Sequence, residues 1–130
     1  MDLTAFMKKY ADQTGGQFTQ YDPSHSIIIV SLPEGRFQTV IGTIRQGNNQ
    51  KQINLNSKVC EVKPGLDFKG LLEQAAAFTY SRFIISDNHL QLEATAQLDS
   101  VSEASLTAML QEVASLADQY EHKLTDSDIH

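Results

Sequence analysis

LQLEATAQL, residues 90–98, alternates leucine or alanine with a polar side chain at every step. Leu90, Leu92, Ala94, Ala96 and Leu98 fall on one face of an extended chain, and Gln91, Glu93, Thr95 and Gln97 on the other. Side chains alternate across a strand, so this period of two predicts a half-buried antiparallel strand with its polar row, Glu93 included, in water. The residues that follow change period. Leu106, Met109, Leu110, Val113, Leu116, Ala117 and Tyr120 form one stripe of a long helix. Ser100 and Glu103 have the spacing of a capping box at its start. A one-sided strand leading into a one-sided helix implies a sheet with helices on one face.

Working outward, Asp87-Asn88 are turn residues that pair this strand with one over residues 80–86. Before it, Asp67 is placed to cap a helix running to Phe78. Residues 52–62 form a more polar strand in which Ile53, Leu55 and Val59 share one parity and Cys60 and Val62 the other, as a bulge would produce. Residues 24–32, SHSIIIVSL, and 37–44, FQTVIGTI, flank Pro33-Glu34-Gly35 and read as a hairpin. Leu3, Phe6, Met7, Tyr10 and Ala11 mark a first amphipathic helix, with Asp2 as its cap and Gly15-Gly16 as its stop. The expected order is α-β-β-β-α-β-β-α, an α+β fold with an antiparallel sheet and helices packed on one face. Residues 1–124 are expected to form a single domain, and the polar residues 125–130, TDSDIH, a mobile tail.

Composition narrows the function classes. Sixteen acidic residues against ten basic ones give a formal charge of −6 and a pI near 5.0, and Lys8-Lys9 is the only adjacent basic pair. Such a chain repels phosphate backbones, which argues against nucleic acid as a partner. No apolar run approaches the ~20 residues that span a bilayer, and the N-terminal segment lacks the apolar stretch of a signal peptide. A cytoplasmic protein without membrane association is the expectation.

The residues that carry chemistry are scattered. His25, His89, His122 and His130 sit in four separate segments, with no i, i+4 pair and no HExxH pattern to hold a metal. There is no GxSxG, GxGxxG or P-loop lysine, and the lone Cys60 has no local signature of a thiol enzyme. No catalytic residue, metal site or cofactor is assigned. Two apolar features exceed what a one-sided sheet requires. In the run 27–30, alternation puts Ile27 and Ile29 opposite Ile28 and Val30, so one pair is free to face a partner. In the helix after Asp67, Leu71, Leu72, Ala75 and Phe78 spread wider than one contact face, as a dimer seam would.

Residues 70–124, GLLEQAAAFTYSRFIISDNHLQLEATAQLDSVSEASLTAMLQEVASLADQYEHKL, resemble the type III secretion chaperone-like fold, and within it the YbjN-like proteins. The likeness lies in the succession of a Leu-Leu helix, an Arg-Phe strand, a polar turn, the leucine-alternating strand and a long helix ending Leu116-Ala117-Asp118-Gln119-Tyr120. The resemblance implies a small acidic cytoplasmic homodimer, joined through its middle helix. It implies a partner as well: an unidentified protein client, held along apolar patches and sheet edges without any reaction. The expected function is a non-enzymatic protein-binding module, chaperone-like or regulatory. The alternative is a small-molecule-binding or sensory domain with its pocket between sheet and helices.

Overall fold

The structure is a computed structural model that describes residues 1–126. Helix α1 (Leu3–Thr14) begins where the Ala5 N–H donates to the Asp2 carboxylate at 3.0 Å, and ends at Gly15 with φ 77°. After it come β1 (Gln17–Asp22), β2 (His25–Ser31), a 3₁₀ turn at Pro33–Gly35, β3 (Phe37–Gln46) and β4 (Lys51–Glu61). Helix α2 (Phe68–Ala75) starts with Asp67 accepting from the Gly70 N–H. Strands β5 (Arg82–Ser86) and β6 (His89–Gln97) precede the long α3 (Glu103–Asp126). Of the expected tail, Thr125 and Asp126 close α3, and residues 127–130 lie outside the described residues.

The six strands form one antiparallel sheet in the order β1-β2-β3-β4-β6-β5, with all three helices on one face. The α+β class and the one-sided sheet hold. One strand is added to the expected order: β1, QFTQYD, pairs with β2 from Gln17↔Ile29 to Asp22↔His25. Its residues are mostly exposed, so it carries no apolar alternation to reveal it. The bulge anticipated in β4 is present, as a register shift between Lys58 and Cys60 against β6. Asp87 and Asn88, both at positive φ, turn β5 into β6. The cap of α3 lies two residues later than expected. Ser102, not Ser100, accepts the Ser105 N–H at 3.0 Å, because residues 98–101 are used in a turn that bonds back to Gln97.

Two apolar clusters hold these layers together. The larger sets Leu3, Met7, Leu106, Leu110 and Val113 of α1 and α3 on Ile28, Val30, Val40, Ile53, Leu55 and Ala94 of the sheet. The smaller joins Leu71 of α2 and Ala117 and Tyr120 of α3 to Val59, Leu90 and Leu92. Gly16, just after α1, lies directly against β2, since a β-carbon there would stand 2.2 Å from the Ile29 carbonyl oxygen. Backbone cannot yield as a flexible side chain does, so Gly16→Ala should cost about 2 kcal/mol. Urea unfolding should register this as a lower midpoint with an unchanged slope.

Candidate functional site

The second apolar cluster opens onto a sheet edge. Strand β5 pairs only with β6, so its outer side has no strand partner among the described residues. Beside it, α2 is held by Leu71, only 5% exposed, while the next residue, Leu72, turns outward and is 62% exposed. Ile85 of β5 is 56% exposed, and it lines with Leu72, Phe68, Leu71, Phe83 and Leu90 a cleft of about 240 Å³. Few polar atoms reach this cleft, so what would gain by entering it is another apolar surface.

Through Phe83 the cleft adjoins an aromatic cluster. Phe78, Phe83 and Tyr120 meet edge to face, with ring centroids 5.1 to 5.9 Å apart. The Tyr120 hydroxyl donates to Gln74 of α2 at 2.8 Å. The link between α2 and β5 is fixed by one carboxylate. Glu112 of α3 accepts the N–H groups of Thr79, Tyr80 and Ser81 at 2.8 to 3.0 Å and the Ser81 hydroxyl at 2.7 Å. This capture ends α2 at Ala75, short of the expected Phe78, which leaves the helix to join the aromatic cluster.

Burial raises the Glu112 carboxyl, but the donors from Ser81, Tyr80 and Thr79 outweigh it and hold the group below the ordinary range. A carboxylate with a depressed native value stabilises the fold above its unfolded value, about 4.3, and that share is lost as the pH falls further. Thr79 and Tyr80 are exposed enough for water to replace their partner, so Glu112→Ala should cost about 1–2 kcal/mol. Faster amide exchange confined to residues 79–81 would identify the cause.

The sheet face away from the helices is the second surface. Ile27 and Ile29 are half-buried there, and across the ladder Ile27 stands opposite Ile41. Ile41 and Phe37, at the same parity, are exposed. Toward β6 the face turns polar around Glu93, whose side chain is only 7% exposed. The Asn54 amide donates to one oxygen at 2.7 Å, and Arg82 donates to the other through Nε and Nη2 at 2.8 and 2.6 Å. An Arg45 nitrogen lies 3.8 Å away. Glu93 is therefore not the solvated residue that its alternation implies. Burial raises its pKa, yet the hydrogen bonds from Arg82 and Asn54 and the charges of both arginines bring it below the ordinary range.

The candidate residues thus divide between two surfaces. Leu72 is exposed on the α2–β5 edge, Ala75 is half-buried beside it, and Leu71 and Phe78 serve the cluster beneath. Ile27 and Ile29 lie on the opposite face of the sheet. Sequence reasoning missed Ile85, although the Phe83-Ile84-Ile85 run signals a strand apolar on both sides. It also missed Glu93, for which alternation gives the face and not the neighbours. Cys60 is half-buried, and burial pushes its thiol pKa up, away from nucleophilic thiolate. Among the described residues no three His, Cys, Asp or Glu side chains are grouped to hold a metal ion, and no helix is long and apolar enough to cross a membrane.

No family model matches the sequence, and no curated protein is significantly similar to it. Solved structures do share its fold. A chain of the heterodimeric ExoU–SpcU complex, from the type III secretion system of Pseudomonas aeruginosa, is similar over 92% of this chain and 94% of its own, with TM-score 0.63 and 13% identity. A chain of the ExsC–ExsE complex is similar over 94% and 96%, with TM-score 0.51 and 15% identity. A chain of the complex of the Yersinia pestis type III secretion chaperone SycH with a fragment of YscM2 is a weaker likeness at TM-score 0.48 and 11% identity, over 90% and 98%. At such identities the likeness is one of architecture: the chain has a type III secretion chaperone-like fold.

Proposed function

We propose that this chain is a non-enzymatic protein-binding module, chaperone-like or regulatory, whose residues 1–124 act as one domain and pair with a second copy through α2 and β5. The exposed Leu72 and Ile85 around an apolar cleft, at a free strand edge, carry the reading. Apolar side chains so placed gain by burial, and an unpaired strand edge adds backbone hydrogen bonds. The two structures with the stronger likeness are both complexes of two proteins, which supports a protein client here as well. Kinship with the YbjN-like proteins, a cytoplasmic location and the absence of a cofactor belong to the same proposal.

Sedimentation equilibrium tests the pairing. The wild type should weigh twice 14.4 kDa at micromolar concentration, and Leu72→Asp should return it to the monomer mass. Because Leu72 is outside the core, the variant should keep its stability within about 0.5 kcal/mol. A wild type that stays monomeric, or an unchanged mass in Leu72→Asp, would remove this seam.

A small-molecule role is the second reading, favoured by the cleft itself. Its volume of about 240 Å³ is below the roughly 300–1,000 Å³ of ordinary ligand pockets, so it suits only a small apolar ligand. An adduct retained in native mass spectrometry and lost in Leu72→Asp would promote that role.

A further inference from the structure

The open sheet face holds two arginines and one covered carboxylate. Arg82 and Arg45 converge on Glu93 from opposite sides, and their side chains remain 67% and 49% exposed. Arg82 spends two nitrogens on one Glu93 oxygen, and Arg45 approaches the other only at 3.8 Å. Glu93 neutralises one guanidinium, and its second oxygen is already occupied by Asn54. One positive charge is left over, on guanidinium groups that solvent still reaches. Lys58, exposed at the same parity of β4, shares its cleft with Glu121 of α3, so the surplus rests with the arginines. Apart from Glu93 and Glu121, the acidic groups on this face lie at its margins, Glu61 beside His89 and Asp22 paired with His25. The middle of the face is thus basic on a chain whose formal charge is −6.

Register places apolar side chains beside this charge. Ile27, Ile41, Asn56, Glu93 and Arg82 stand opposite one another on successive strands. Ile41 and Glu93 are two strands apart, about 10 Å at ordinary strand spacing. A segment lying across the strands would meet isoleucine first and guanidinium next.

We infer that the open face of the sheet binds an acidic, apolar-containing segment of a partner protein, with a partner carboxylate completing the Arg45–Glu93–Arg82 cluster and apolar side chains resting on Ile27, Ile29 and Ile41. This rests on the protein-binding reading and names the chemistry of the partner at the sheet face. Guanidinium takes carboxylate in a bidentate, charge-assisted pair, so the preference is for Glu or Asp over a merely polar residue. Arg82 is already held by Glu93, which the Asn54 amide fixes in turn.

Three synthetic peptides of about ten residues, roughly 33 Å extended and able to cross all six strands, test it. They share one pattern of leucines and carry Glu, Gln or Lys at the remaining positions. Fluorescence anisotropy should find the Glu peptide bound about tenfold tighter than the Gln peptide, and the Lys peptide weakest. The preference should shrink between 0.01 M and 0.15 M salt, where the screening length falls from roughly 30 Å to roughly 8 Å. Arg45→Gln leaves the Arg82–Glu93–Asn54 bonds intact, and it should abolish the Glu preference without changing the melting temperature. Equal binding of all three peptides, or a Glu preference that survives Arg45→Gln, would overturn the inference while leaving a general protein-binding role. Binding of none would remove the open face as a partner surface altogether.

Discussion

Leu71→Asp should unfold much of the protein at room temperature, although its neighbour Leu72 accepts the same change. Leu71 is 5% exposed and packs among Val59, Leu90, Leu92 and Tyr120. Truncating such a leucine costs about 2–5 kcal/mol, and placing a carboxylate in the vacated apolar site adds the penalty of an unpaired buried charge. A loss above about 4 kcal/mol is a large part of the 5–15 kcal/mol that a domain possesses. Circular dichroism on heating should find Leu72→Asp near the wild type and Leu71→Asp with a collapsed transition. Comparable melting of the two variants would mean that α2 is seated by other residues.

Glu93→Ala should be the costliest change on the open sheet face, at about 3 kcal/mol. Most of that comes from Asn54, a buried amide that would lose its acceptor. The ion pair itself contributes less, because Arg82 is largely in water and well screened. Glu93→Gln keeps an acceptor for Asn54 and should cost less than Glu93→Ala. The pH dependence has a definite sign. With the native carboxyl held below its ordinary value, its stabilisation is complete above about pH 4.3 and declines as the pH falls through the lower native value. Urea midpoints should therefore converge for wild type and Glu93→Gln on acidification. A constant gap down to pH 3 would contradict the role given to the charge.

Elements that carry their own local signal were legible in the sequence. The alternation of residues 90–98 gave β6 and its apolar face, and Asp2, Gly15 and Asp67 bounded helices through caps that depend on near neighbours. What was hidden depends on residues distant in sequence. β1 exists because β2 offers it an edge, although its own side chains are mostly in water. α2 stops at Ala75 because Glu112, more than thirty residues later, takes the N–H groups that follow. Glu93 is covered because Arg82, Arg45 and Asn54 arrive from three other strands. Of the candidate surface residues, Leu71 and Leu72 looked equivalent in the helical pattern. Only the side of α2 that faces the sheet separates a core leucine from an exposed one.

Amide hydrogen exchange at rising protein concentration tests the α2–β5 seam most directly. If a second copy covers that edge, amides in residues 68–75 and 82–86 should gain protection as the concentration rises, and those of β1 at the far edge should not. Protection that is independent of concentration, or that grows at β1 while residues 82–86 stay unchanged, would contradict the account.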